Sequence, residues 1–210
     1  MPRIVDHDER RREIADALLE LIAEHGIAGA TIRSVADRCN WSTGVISHYF
    51  RNRHALLIGG LRRANELAAN RHREISTKII GRQAVEAILE SVMPLDKSRL
   101  SLNRIFVFFY AEAVVDPVVT QEIERYLAKW RRQVFLAVKD AQDLNEIDPD
   151  LDAEVVARDL VCLADGLTIH ALFDNKIIAK LAETSPIRLW TSRLAPKAQA
   201  AKKKIPQRRR

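Results

Sequence analysis

One short segment of the chain carries small and hydrogen-bonding side chains where a solvated helix would carry glutamate and lysine. If residues 42–49 form a helix, its exposed residues are Thr43, Gly44, Ser47 and His48. Small side chains let a helix enter the major groove of DNA, about 12 Å wide, and bring hydrogen-bonding groups to base edges. Tyr49 and Arg53 follow at positions suited to phosphate oxygens, which set register on the duplex. The alternatives are that Tyr49 packs and that Arg53 is simply solvated.

The elements that would position this segment are two short helices with side-chain caps. Thr31 is placed to cap a helix that buries Val35. Asn40 tolerates the left-handed conformation that a tight interhelical turn needs. Ser42 then caps a second helix, which turns Ile46 inward. Two short helices joined by such a turn form a helix-turn-helix unit.

The rest of the chain has helical periodicity throughout, which predicts an all-α fold. We expect further helices over residues 8–25, 53–75, 82–93, 98–115, 117–142, 152–174 and 186–194. Gly59-Gly60, inside one of them, indicates either close packing or a hinge. The predicted organisation is a three-helix helix-turn-helix domain over residues 1–55, a helical domain over residues 56–195, and a basic disordered tail over residues 196–210.

Composition narrows the functional classes. No stretch approaches the ~20 apolar residues of a membrane span, and the acidic segment after Val5 is unlike a signal peptide. Cys39 and Cys162 lack partners at metal-ligand spacing, which predicts buried free thiols and a cytoplasmic location. The nucleotide-binding, hydrolase and zinc-protease motifs of common enzymes are missing. We therefore expect no catalytic residues, no metal and no cofactor.

The net charge of +6 is unevenly distributed. From Arg193 onward there are eight basic residues and no acid, which leaves −2 for the rest of the chain. A local excess is more informative than the total. Between Ala30 and Arg63, six arginines accompany a single acid, Asp37. The arginines are Arg33, Arg38, Arg51, Arg53, Arg62 and Arg63. This window predicts a surface that faces phosphate.

The segment from Thr31 to Arg53 resembles the DNA-binding domain of TetR-type regulators. The string Ser47-His48-Tyr49-Phe50-Arg51-Asn52-Arg53 carries the match, which covers residues 8–60. By this resemblance, base contacts fall to Arg33, Thr43, Gly44, Val45, Ser47 and His48. Phosphate contacts fall to Thr31, Ser42, Tyr49 and Arg53. Two residues depart from the pattern: Asn40 replaces a glycine, and Trp41 replaces a smaller apolar residue that must fit the small core.

A second, partial resemblance extends into the carboxy-terminal half. The opening Met-Pro, the string Ser42–Arg51 and the string Leu163-Ala164-Asp165-Gly166-Leu167 look like those of BetI-type repressors, which sense choline in the betaine pathway. That group carries tryptophans in a middle helix where this chain has phenylalanines and a tyrosine. A cationic effector would need ring faces and an acid. The candidate ligand-binding residues are Phe106, Phe109, Tyr110, Glu112, Tyr126, Trp130 and Asp165. The alternatives are that these aromatic residues form a core and that Asp165 has a structural role.

The helix over residues 152–174 is apolar around most of its circumference. Such a helix must be buried on both sides, either by a partner subunit, together with the 186–194 helix, or centrally within one subunit. Gly166 would permit close approach there. The TetR-type resemblance implies a homodimeric repressor that binds double-stranded DNA at an inverted repeat and is released by a small-molecule effector. The alternative is a constitutive or architectural DNA-binding protein without an effector.

Overall fold

The computed structural model describes residues 6–95, 97–174, 176 and 183–196, and these ranges contain nine α-helices and no β-strand. The helices are α1 His7–His25, α2 Ile32–Cys39, α3 Thr43–Tyr49, α4 Arg53–Lys78, α5 Gly81–Ser91, α6 Lys97–Ala113, α7 Pro117–Asp143, α8 Ala153–Phe173 and α9 Pro186–Arg193. A 3₁₀ turn, Ile27–Gly29, precedes α2. The all-helical fold predicted from the sequence is confirmed. The predicted disordered tail, from residue 197 on, lies outside the described residues.

Side-chain caps begin the helices where the sequence predicts them. Asp6 Oδ1 accepts hydrogen bonds from the backbone N–H groups of Asp8 and Glu9, at 2.9 and 3.2 Å. Asn52 Oδ1 accepts from the N–H of Ala55 at 2.8 Å. Asp116, Asp152 and Ser185 cap α7, α8 and α9 in the same way. Each cap satisfies N–H groups that have no partner within the helix, so these boundaries follow from local chemistry.

By its packing the chain divides into two units. The first comprises Met1–Ala69 with Asp96–Tyr126, and the second comprises Asn70–Leu95 with Leu127–Arg210. Helices α4 and α7 therefore contribute to both units. The boundaries drawn from the sequence, at residues 55 and 195, stay predictions about separate domains.

Two adjacent glycines of α4 allow the helices of the first unit to pack closely. A Cβ added at Gly60 would lie 2.6 Å from Leu18 Cδ2, and one at Gly59 would lie 2.3 Å from Phe50 Cε1. Real side-chain contacts are not this short, so α4 meets α1 and the end of α3 through bare backbone. The close-packing interpretation of Gly59-Gly60 is confirmed.

The core of the second unit is built by α5, the later part of α7, α8 and α9. Its fully buried side chains include Ile88, Leu89, Trp130, Val134 and Ile187. Helix α5 packs on both α8 and α9. Between α4 and α5 the backbone turns at Gly81, whose φ of 68° lies in the left-handed region that favours glycine.

Two expectations about individual side chains are wrong. Cys162 is exposed and Cys39 is only half-buried, although both thiols are free as predicted. Cys162 lies on α8 beside the buried Val161, but the helical rotation of one residue turns it outward. Trp41 does not enter the core either. It is half-buried, and the guanidinium of Arg10 covers its ring at 4.7 Å from the centroid.

Candidate nucleic-acid interface

Local hydrogen bonds set the geometry of the helix-turn-helix. Thr31 Oγ1 accepts from the N–H of Ser34 at 3.0 Å, and Ser34 Oγ accepts from the N–H of Thr31 at 2.9 Å, which forms a reciprocal capping box. Asn40 adopts φ 55° and ψ 42°, the predicted left-handed turn. Ser42 Oγ then accepts from the N–H of Val45 at 3.3 Å and begins α3. Two polar side chains therefore specify the turn between α2 and α3, Asn40 and Ser42.

Helix α3 has one buried side and one exposed side. Ile46 is fully buried, and Phe50, which ends the helix, is nearly so. The opposite side exposes Thr43, Gly44, Val45, Ser47 and His48. Arg33 is exposed on α2. The structure thus brings all six predicted base-contacting residues to the surface of two neighbouring helices, and we call α3 the recognition helix.

The predicted phosphate-contacting residues lie around this surface and differ in their exposure and hydrogen bonding. Ser42 is exposed, whereas Thr31 is half-buried and its hydroxyl is engaged in the capping box. The ring of Tyr49 is half-buried, with its centroid 5.2 Å from that of His48 and 5.7 Å from that of His7. His7, in the first turn of α1, was not predicted. Its only signal in the sequence is its place beside the Asp6 cap.

Arg53 has a structural role that sequence reasoning missed. Its Nε donates to the carbonyl of Ala30 at 2.9 Å, and its Nη2 donates to the carbonyl of Ile27 at 2.7 Å. The side chain ties the first turn of α4 to the 3₁₀ turn that precedes α2. Arg53 is exposed, and a guanidinium carries five N–H donors, so these two bonds leave donors for a phosphate.

The arginine-rich window between Ala30 and Arg63 is less basic in space than in sequence. Arg38 binds Glu20 and Glu24, and these hydrogen bonds raise its pKa while lowering that of Glu24. Arg62 binds Glu122, and Arg63 binds Asp16 and Glu66. These acids lie outside the window, on α1, α4 and α7. Three of the six arginines of the window are therefore paired with acids, and the surface that faces phosphate stays a prediction.

A cleft in the first unit brings two arginines from outside the window, Arg11 and Arg12, beside three of the window, Arg51, Arg62 and Arg63. Its volume is about 500 Å³, and its lining includes Arg11, Arg12, Arg51 and Tyr49. Arg11 lies over the ring of Phe50, 5.7 Å from its centroid. Among the described residues, Arg12 and Arg51 form no ion pair. The signal for this cleft in the sequence is the run Arg10-Arg11-Arg12.

The ligand candidates of the first unit divide into a stacked pair and its neighbours. Phe106 and Tyr126 stack with ring centroids 4.8 Å apart and planes 22° apart. Phe109 is almost fully buried and packs edge-on against its neighbour in sequence. Tyr110 is half-buried, and Glu112 is exposed on the last turn of α6. The structure therefore joins two of these five residues in one aromatic contact.

The remaining ligand candidates, Trp130 and Asp165, belong to the second unit. Trp130 on α7 is buried, and its ring stacks on that of His72 with centroids 6.1 Å apart. Asp165 is half-buried on α8. Sequence reasoning did not single out His72, because one histidine within a basic, polar stretch of α4 gives no sign of burial.

A capped helix-turn-helix with a small-residue recognition helix defines a class of DNA-binding protein. Comparison with known sequences specifies the family. Residues 14–58 match the bacterial regulatory proteins of the tetR family, and residues 81–184 match the C-terminal domain of BetI-type transcriptional repressors. The chain belongs to the TetR family and is a DNA-binding transcriptional regulator, not an enzyme.

Individual relatives agree with this assignment. The regulator PksA of Bacillus subtilis is 29% identical over 175 residues, 83% of this chain and 84% of PksA. The regulator BetI of Paraburkholderia phymatum is 28% identical over 189 residues, 87% of this chain and 93% of BetI. A regulator from Saccharomonospora viridis, solved in complex with choline, has a TM-score of 0.73 at 21% identity, over 84% of this chain and 95% of that one. In the part of this chain that the structure describes, no helix is both long and apolar enough to cross a membrane.

Proposed function

We propose that the chain is a repressor that binds an inverted-repeat operator as a two-fold dimer and releases it when a small molecule binds. One observation carries the proposal. The chain exposes a recognition helix with small side chains in one unit and, in the other, an apolar stripe on α8 that is interrupted by the Arg158–Asp159 ion pair. A regulator needs both surfaces if two recognition helices are to enter successive major grooves on one face of DNA.

The apolar stripe runs along one face of α8. Its exposed residues are Val155, Cys162, Ile169 and Phe173, spaced by seven, seven and four positions. This spacing keeps them on one side of a helix. Phe173 is 80% exposed. The opposite face of α8, which includes Val161 and Ala164, is buried in the core of the second unit. The sequence predicts that α8 is buried on both sides, and the described residues of the chain leave this side uncovered.

Helix α9 extends the same apolar surface. Leu189 and Trp190 are about half exposed, and a groove of about 330 Å³ lies between Trp190 and the α8 residues Leu160 and Leu163. A Cβ placed on Gly166 would meet no described atom within 4 Å. A second copy of α8 could therefore approach closely there. Because a two-fold interface is self-complementary, one chain supplies both the ridge and the groove.

The dimer is tested by charge insertion at matched exposed leucines. Leu189 on α9 and Leu136 on α7 are 50% and 47% exposed, and only Leu189 lies on the proposed interface. We expect Leu189→Asp to give a monomer in sedimentation velocity and to abolish binding to a full operator. Leu136→Asp should stay dimeric and bind normally. A wild-type protein that is monomeric at operator-binding concentrations would overturn the two-fold model.

Operator recognition is tested by separating base contacts from phosphate contacts. We propose base contacts for Arg33, Thr43, Gly44, Val45, Ser47 and His48, and phosphate contacts for Thr31, Ser42, Tyr49 and Arg53. Selection from random DNA with wild type should return an inverted repeat. Selection with Ser47→Ala should change the preferred base at symmetric positions. The same repeat from both proteins would remove Ser47 from the base contacts, and a lone half-site would contradict the dimer.

The proposed effector site includes a stacked pair of aromatic side chains in the first unit. The stacked pair Phe106 and Tyr126 supplies ring faces that would attract a cation such as choline, the ligand of the Saccharomonospora viridis regulator, and Glu112 lies on the same helix as Phe106, about one and a half turns further on. Choline titration with operator release as the readout tests this, and Phe106→Ala and Glu112→Gln should weaken it. A protein that no small molecule releases would favour the constitutive alternative.

A further inference from the structure

The second unit contains a buried histidine whose hydrogen bonding is incomplete. His72 on α4 is 1% exposed. Its Nδ1 lies 2.9 Å from Gln133 Oε1 on α7, and its ring stacks on Trp130 with planes 26° apart. In the described part of the chain, His72 Nε2 is buried and has no hydrogen-bond partner. A buried polar atom without a partner is uncommon in folded proteins and requires an explanation.

The protonation state of His72 follows from these contacts. Burial lowers its pKa from the ordinary 6.5 to about 4, while the hydrogen bond to Gln133 opposes the change and the positive charge of Arg71 adds to it. The ring is therefore neutral near pH 7. An amide oxygen can only accept, so the proton lies on Nδ1. Nε2 consequently presents a lone pair, which can be satisfied only by a donor.

A second buried polar atom of this unit also has no hydrogen-bond partner among the described residues. Thr168 on α8 is 7% exposed, and its Oγ1 has no partner among the described residues. It lies on the core-facing side of the helix, between the small buried residues Ala164 and Ala171. A threonine hydroxyl in a helix ordinarily bonds back to the carbonyl four residues earlier, and this one does not. The interior of the unit thus holds two polar groups that its own described residues leave unsatisfied.

The charge around His72 limits the class of molecule that could satisfy it. Arg71 is the neighbouring charge that acts on the ring, and it is positive. A cation would be repelled by it. A carboxylate would be attracted but has no donor for the lone pair of Nε2. An uncharged molecule with an O–H or N–H group meets both requirements, and an apolar ring would suit the aromatic surroundings of Trp130.

We propose that His72 Nε2 is the polar anchor of the effector site, and that the effector is an uncharged, ring-containing molecule that donates a hydrogen bond, as a phenol does. This inference rests on the proposed ligand-released regulator and names its ligand class. It is an alternative to the cation site at Phe106: the two sites lie in different units and require ligands of different charge, so only one of them can be the effector site.

The test uses the full-length protein and two probes that differ in the donor and by one methyl group, and the variant His72→Phe controls for the bulk of that methyl. 4-Propylphenol carries an O–H, and 4-propylanisole replaces its hydrogen by a methyl group. We expect 4-propylphenol to bind wild type at least about tenfold more tightly than 4-propylanisole, because one buried hydrogen bond is worth about that factor. Titration should also shift the side-chain ¹⁵N resonance of His72 Nε2, which reports directly on hydrogen bonding at that atom.

His72→Phe keeps a ring but removes Nε2, and it should bind the two probes equally. Thr168→Val, which replaces the hydroxyl by a methyl, provides an independent variant if His72→Phe fails to fold. Equal binding of both probes to wild type, or a Nε2 resonance that is already hydrogen-bonded and unchanged by the phenol, would overturn the proposal and assign the position to bound water. If choline releases the operator while the ¹⁵N resonance of His72 Nε2 stays unchanged, this inference alone would be overturned. Failure of wild type to bind any operator would instead remove the proposed function.

Discussion

The contact between Gly59 and Phe50 offers a direct test of how α4 holds the recognition helix. In Gly59→Ala the new Cβ would lie 2.3 Å from Cε1 and 2.9 Å from Cζ of a ring that is 6% exposed. Alanine is better than glycine in a helix interior by about 1 kcal/mol. Overpacking a closed core costs about 1–3 kcal/mol. Because the overlap is with a rigid ring, we expect a net destabilisation of up to about 2 kcal/mol.

The consequence should extend to DNA. Phe50 directly follows α3, and its displacement moves the end of the recognition helix relative to α4. We therefore expect Gly59→Ala to weaken operator binding as well as stability. Urea denaturation followed by circular dichroism gives the free energy of unfolding, at one fixed protein concentration because the stability of a dimer depends on concentration. Fluorescence anisotropy with a labelled operator gives the affinity.

Gly166→Ala is the matched control, since its Cβ meets no described atom within 4 Å. It carries the same helix-propensity gain, which should raise stability by up to about 1 kcal/mol when both glycine variants are compared in the monomeric Leu189→Asp background, because in the proposed dimer a second α8 approaches Gly166. Without Leu189→Asp, a loss of stability with easier dissociation would show that a partner subunit fills that space. If Gly59→Ala is as stabilising as Gly166→Ala and binds the operator like wild type, the placement of the Phe50 ring against α4 is refuted.

Three further predictions concern charge and protonation. His72 should lower the free energy of unfolding as pH falls, because its pKa is 6.5 in the unfolded chain and about 4 in the folded one. This loss of stability is absent above pH 6.5 and reaches about 3 kcal/mol by pH 4, so the urea midpoints of wild type and His72→Phe should converge between these two pH values. Arg53→Lys, which keeps the charge but cannot span the carbonyls of Ala30 and Ile27, should lower stability by about 1 kcal/mol in the same assay, and an unchanged midpoint would rule out the tie. Arg51→Gln should reduce the magnitude of the slope of log affinity against log salt by about 2, one phosphate contact for each subunit of the proposed dimer, whereas Arg73→Gln, exposed on the later part of α4, should leave it unchanged; equal slopes would show that Arg51 neutralises no phosphate.

The helix boundaries and the helix-turn-helix could be predicted because their causes are local. A cap bonds to an N–H two or three residues away, as Asp6, Thr31 and Asn52 do. The left-handed turn needs only a residue that tolerates it, and Asn40 does. Which side of α3 faces outward follows from its rotation per residue once Ile46 is buried. These interactions lie within a few positions of one another, so the sequence displays them directly.

The partners of the charged and buried polar groups were decided by the tertiary structure. Glu122 is 60 residues from Arg62, and Gln133 is 61 residues from His72. No spacing rule predicts such pairs, because packing brings distant helices together and only then fixes which side chains meet. The same holds for Cys162, whose exposure depends on what covers α8. The sequence by itself determined a helical DNA-binding protein with a recognisable reading surface. Only the three-dimensional packing decided which arginines remain free of acids and which histidine is held neutral.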